Sequence, residues 1–120
     1  SRSIERGPVG ALVKKLNGYK CQICHVLGRD PIGFLKPSGE PYVEAHHVMP
    51  VSAGQAGSLG ASNILTACAT HHRQLHYGQA SVSITATAFD VTLDGKTVQV
   101  GRPILDGPGK SPTAQDAPVA

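Results

Sequence analysis

The 120 residues predict a small α+β domain, and three patterns carry that expectation. Val9, Leu12, Val13 and Leu16 recur at the spacing of one helical face. Two short β-rich runs, residues 42–48 and 63–67, lead into a brief helical stretch over residues 70–77. Residues 81–100 then alternate apolar with polar around Asp94-Gly95, the pattern of a β-hairpin.

Each element has local support. Pro8 suits the first turn of the N-terminal helix, and Asn17-Gly18 suits a left-handed stop, leaving Lys14 and Lys15 on the exposed face. Gly28, Pro31, Gly33, Pro37, Gly39 and Pro41 mark residues 25–41 as a loop with a short irregular hairpin. Pro50 cannot donate to a ladder, so it ends the first strand. Residues 51–62, rich in Gly, Ser and Ala, form the next loop, and Gly78 stops the helix. Within 81–100, Val82, Ile84 and Ala86 share one register, followed by Val91 and Leu93, then Val98 and Val100 beyond the turn. Pro103, Pro108, Pro112 and Pro118 punctuate a stretch with little to bury. The expected division is therefore a basic segment and helix over 1–18, a core over 19–78, a packed hairpin over 79–100, and a flexible tail or linker over 101–120.

Composition shows what such a domain lacks. There are 14 glycines, 9 prolines and no tryptophan, so ordering entropy is high and the aromatic contribution to a core is small. A metal staple would supply what apolar burial does not. Three cysteines cannot all enter disulfides. No apolar run resembles a signal peptide or approaches the ~18 residues of a membrane span. Thiolates committed to metal in the reducing cytoplasm fit these facts. The start at Ser1 suggests a piece of a longer protein. The net charge is only +3, but residues 1–36 hold Arg2, Arg6, Lys14, Lys15, Lys20, Arg29 and Lys36 against Glu5 and Asp30. That bias suits a polyanion such as nucleic acid, with a plain solvated surface as the alternative.

Five of the six histidines fall in residues 44–50 and 68–76, a crowding that core packing does not require. Cys21 and Cys24 are separated by two residues, as are Cys68 and His71. Together they make a tetrahedral zinc site of three thiolates and one imidazole, which uses every cysteine. The competing readings are free buried thiols and a redox C-x-x-C, but the latter needs a βαβ context that is missing. His25, beside Cys24, is left out because the four positions are already filled. On the helix, His72 and His76 are four residues apart and share a face.

The order of a strand with His46-His47, a loop, Asn63, a short strand, and a helix with His72 and His76 resembles the HNH endonucleases and their ββα-metal fold. The enclosing Cys21/Cys24 and Cys68/His71 pairs resemble the zinc-stabilised branch of that family, which includes restriction enzymes that attack modified DNA. The resemblance covers roughly residues 20–78. It implies a metal-dependent DNA endonuclease, and it implies a role for each matching position. His47 would be the general base that takes a proton from the attacking water, a task suited to an imidazole with an ordinary pKa of about 6.5. Asn63 would hold His47 in place. His46 and His72 would bind one divalent ion, with His76 as third ligand or phosphate contact. That ion would stabilise the leaving 3′ oxygen and give a 5′-phosphate product. Many family members carry Asp where His46 stands, and an all-imidazole site prefers Mn2+, Ni2+, Co2+ or Zn2+ to Mg2+. Glu44 would hydrogen-bond a ligand histidine or stand as a surface carboxylate, and Arg73 would contact DNA phosphate or simply be solvated.

His46 and His47 are adjacent, and neighbours on a regular strand point to opposite faces, so serving one site requires the strand to bend or end there. The main rival is a catalytically inactive zinc-stabilised DNA-binding module. A zinc peptidase would need H-E-x-x-H, whereas Arg73 follows His72. Double-stranded DNA is the expected partner, no membrane is involved, and cutting both strands in concert would call for a homodimer. A larger parent protein carrying a recognition domain is the expected context.

Overall fold

The computed structural model describes residues 7–49 and 60–103. Helix α1 (Pro8–Leu16) has Pro in its first turn and buries Gly10 and Val13. It ends as the sequence suggests, with Gly18 N–H bonding Lys15 O and Tyr19 N–H bonding Lys14 O, both at 2.9 Å. That paired closure needs left-handed backbone, supplied by Gly18 at φ 63° and Tyr19 at φ 56°. Val13 packs with Ala45, Ala61 and Ile64, seating α1 on the first strand pair.

A short helix, α2 (Gln22–Val26), follows where no helical period is legible, because five residues are too few to display one. Its N-cap is Cys21, whose sulfur accepts the Cys24 amide. Residues 33–42 then form a finger closed by an isolated Leu35–Pro41 bridge, which gives the irregular hairpin expected there. Strand β1 (Glu44–His47) pairs antiparallel with β2 (Ile64–Ala67), Glu44 opposite Ala67 and His47 opposite Ile64. A 3-10 turn (Ala61–Asn63) precedes β2, so Asn63 stands just outside the strand rather than in it. Helix α3 (Ala69–Tyr77) starts from Cys68 as N-cap. It stops at Gly78, where a Cβ would come within 2.9 Å of Gln74 backbone oxygen.

The expected hairpin over 81–100 is instead a three-stranded meander: β3 (Ala80–Ile84), β4 (Ala88–Leu93) and β5 (Lys96–Gly101). The Asp94-Gly95 turn joins β4 to β5, with both residues at positive φ. The other reversal carries no Gly, Pro, Asn or Asp. Thr85 makes it, its hydroxyl bonding both the amide and the carbonyl of Ala88. Ile84 and Ala86, read as one face with Val82, are exposed as a result.

The main core lies between this meander and the α2/β2 layer, where Cys21, Ile23, Leu65, Ala67, Phe89, Val91 and Val100 pack together. Two polar clasps cross it. Gln22, fully buried, accepts the Thr66 amide at 3.0 Å and donates to Gly101 O at 2.9 Å. Arg102 lies over the Phe89 ring and donates to Ser62 O, tying the sheet to the turn before Asn63. The ordered domain thus runs past residue 100, with Pro103 buried, while the rest of the expected tail lies outside the described residues. So do residues 50–59, most of the expected loop over 51–62.

Replacing Gln22 by Ala leaves the buried Thr66 N–H and the half-buried Gly101 C=O without this partner. The expected loss is about 2–3 kcal/mol of unfolding free energy, measured by urea denaturation.

Candidate metal centres

The first centre is made by two turns of the same construction. In each, the leading cysteine caps a helix and accepts the amide three residues on: Cys24 N–H to Cys21 Sγ at 3.3 Å, His71 N–H to Cys68 Sγ at 3.4 Å. The two turns face each other, and Cys21, Cys24, Cys68 and His71 lie close enough to hold a metal ion. His71 Nδ1 is 3.5 Å from Cys21 Sγ and 3.4 Å from the sulfurs of Cys24 and Cys68. Cys24 and Cys68 sulfurs are 3.9 Å apart, far too long for a disulfide. A tetrahedral ion with metal–sulfur bonds of about 2.3 Å and a metal–nitrogen bond of about 2.0 Å has S···N edges of about 3.5 Å and S···S edges of about 3.8 Å. The distances fit a zinc-sized ion.

The electrostatics of these ligands agree. Hydrogen bonding to Cys68, then burial, push the Cys21 thiol up. The Cys68 thiol is driven well below its ordinary value by the hydrogen bond from Cys21 and then by His71. Sulfur lone pairs crowded this way share protons unequally. A cation held by all of them would remove the conflict.

The second centre gathers His46 from β1 with His72 and His76 from α3, one ligand atom from each lying within 4.8 Å of the others. His72 and His76 Nε2 atoms are 3.2 Å apart, and the three ring centroids are 4.9 to 5.2 Å apart. His46 is buried, and its Nδ1 has no hydrogen-bond partner among the described residues. Burial, reinforced by His72, His76 and His47, lowers its pKa to about 3, keeping the ring neutral and its lone pair available. This donor set suits a divalent transition ion.

Glu44 is oriented toward the same centre. Its Oε1 accepts from His72 Nδ1 at 2.6 Å, which fixes the His72 tautomer and presents Nε2 to the cluster. Burial raises the Glu44 carboxyl, but hydrogen bonds from Tyr42 and His72 outweigh it and leave it below its usual range. Arg73, exposed on α3, is near enough to contribute to that lowering. Tyr42 donates its hydroxyl to Glu44 Oε2 and was read from sequence only as a strand residue. The signal was present, since positions 42, 44 and 46 alternate onto one face of an extended chain.

His47 is half-buried at the last position of β1, and a bend at residues 48–49 follows. Asn63, fully buried, holds this bend. It accepts the Met49 amide through Oδ1 at 2.7 Å, donates from Nδ2 to Met49 O at 3.0 Å, and accepts the Val48 amide through its backbone carbonyl. The strand therefore ends directly after the paired histidines.

No protein-family profile matches the chain, and no solved structure matches it. It is similar to the type IV methyl-directed restriction enzyme EcoKMcrA of Escherichia coli (strain K12), 39% identical over 57 residues. The match takes in 48% of this chain and spans 20% of that enzyme's length. Among the described residues no helix is long and apolar enough to cross a membrane.

Two outcomes are expected. Protein purified without chelator should carry one tightly held zinc by metal analysis, retained in His46→Ala and lost in Cys68→Ala together with the cooperative thermal transition. Unfolding should also depend on pH through His46. Unfolded, that ring takes a proton near 6.5; folded, only near 3. Between those values the unfolded chain binds more protons, so stability falls as pH drops. With no divalent ion added, the thermal midpoint should fall from pH 6.5 to pH 5, and fall less in His46→Asn.

Proposed function

We propose that this chain is the cleavage domain of a restriction-type DNA endonuclease of the HNH, ββα-metal kind. The observation that carries the reading is the convergence of the His46, His72 and His76 imidazoles, with His47 next to His46 in β1 and the bend that follows it clasped by Asn63. The similarity to a methyl-directed restriction enzyme supports it independently. In this reading residues 19–78 are the nuclease core, the 79–100 segment supports it, and Cys21, Cys24, Cys68 and His71 hold a structural zinc.

His46, His72 and His76 would hold one divalent ion. When bound, that ion supplies positive charge to the phosphate and to the leaving 3′ oxygen. The chain does the rest. His47 takes the proton from the attacking water as the new P–O bond forms and the P–O3′ bond breaks. Asn63 holds the backbone just beyond His47 and so limits where the imidazole can move. Glu44 keeps His72 in one tautomer. Arg73 meets the DNA backbone as a phosphate contact.

The substrate is double-stranded DNA in the cytoplasm. The match to only a fifth of a longer enzyme supports a parent protein with a separate recognition domain. Two copies would be needed to cut both strands in concert.

Supercoiled plasmid incubated with Mg2+, Mn2+, Co2+ or Ni2+ tests the proposal. Metal-dependent nicking is expected, abolished by EDTA and reduced about 100- to 10,000-fold in His47→Ala. Binding without nicking under every metal would instead favour an inactive DNA-binding module.

A further inference from the structure

The chain has two phenylalanines, and they have opposite fates. Phe89 is fully buried, whereas Phe34 is 65% exposed and its neighbour Leu35 is 61% exposed. Single exposed apolar residues need no explanation, but two large ones side by side on an ordered finger do. The finger is well tied. Tyr42 N–H bonds Phe34 O and Lys36 N–H bonds Glu40 O, both at 2.9 Å, Gly39 N–H bonds Lys36 O at 2.8 Å, and Lys36 pairs with Glu40. The Phe34 ring stacks on Tyr42, centroids 4.8 Å apart and planes 12° apart, so one face is used and the other is open.

The stack continues into the imidazole centre. Tyr42 donates to Glu44, and Glu44 accepts from His72. Tyr42 and His46 lie four residues apart along extended chain, about 13 Å at about 3.3 Å per residue. That is about four nucleotide steps of 3.4 Å along one strand. Cations offset the carboxylates of the finger: Lys36 and Lys14 act on Glu40 beside the turn at its tip, and Arg73 acts on Glu44 beyond Tyr42. An open aromatic face on a finger whose carboxylates are offset by Lys14, Lys36 and Arg73 matches a polyanion carrying flat bases better than a neutral protein surface.

We infer that Phe34, with Leu35 beside it, is an apolar wedge that stacks on a DNA base a few nucleotides from the scissile phosphate. This rests on the nuclease reading above. Insertion between base steps is an established use of exposed Phe and Leu in DNA-binding proteins. Here it would fix the register of the strand over the imidazoles while leaving sequence unread, because every base offers a π-face.

The chain has no tryptophan, so Phe34→Trp introduces a single reporter. In a His47→Ala background, which leaves DNA intact, Trp emission is followed while a 20-base-pair duplex is added, and binding is followed separately by anisotropy of a labelled duplex. Quenching that tracks anisotropy is expected, with affinity about tenfold weaker in Phe34→Ala and retained in Phe34→Tyr. Silent emission during clear DNA binding would overturn the wedge, as would unchanged affinity in Phe34→Ala. Emission that changes with protein concentration alone would overturn it in favour of contact between copies. Nicking by the wild type alongside any of these results leaves the nuclease reading standing. Absence of both DNA binding and nicking removes both.

Discussion

The meeting of two distant turns, Cys21/Cys24 and Cys68/His71, is the constraint on which the rest of the molecule depends. Each turn starts a helix, so a single ion bound among them would fix where α2 and α3 begin. Cys21 is itself part of the core, packed with Ile23, Leu65 and Phe89. A domain with so few aromatic residues gains little by apolar burial alone. Closing the long loop between these turns removes conformational freedom from the unfolded chain, where a small core cannot compensate for it.

The same constraint positions the second centre. Successive residues of a helix are turned about 100° apart, so α3 can present His71 to the thiolates and His72 to another face. His76 follows one turn later on the His72 face. The antiparallel pairing of β1 with β2 carries His46 to meet them. The imidazoles come from rigid elements rather than loops, and Glu44 and Asn63 brace the neighbouring groups. A buried neutral His46 beside a carboxylate kept anionic is an arrangement that favours a bound cation.

Much of this was legible in the sequence because ligand spacing is local chemistry. A two-residue gap between cysteines or between Cys68 and His71, and a four-residue gap on a helix, have geometric meaning before any fold is known. The two strands and α3 were visible because their ends carry Pro50 and Gly78 or follow a clear period. What stayed hidden depends on tertiary contact. Thr85 turns the chain with its hydroxyl, without a turn residue to announce it, so two strands and a turn were read as one. Gln22 carries no sequence signal, and its amide joins β2 to β5 only in the folded chain. Asn63 was expected to restrain His47, and the clasp it makes on the Met49 backbone, two residues past that histidine, exists only in the folded bend. Phe34 was lost in a stretch read by its glycines and prolines. Its exposure is a property of the folded finger alone.

Anomalous diffraction from crystals of protein carrying only the zinc that co-purifies with it, soaked in manganese, decides whether there are two separate centres. Two peaks per chain are expected: zinc enclosed by Cys21, Cys24, Cys68 and His71, and manganese among His46, His72 and His76. A zinc peak among the imidazoles with the cysteines empty would contradict it, as would manganese bound only at carboxylates elsewhere on the surface.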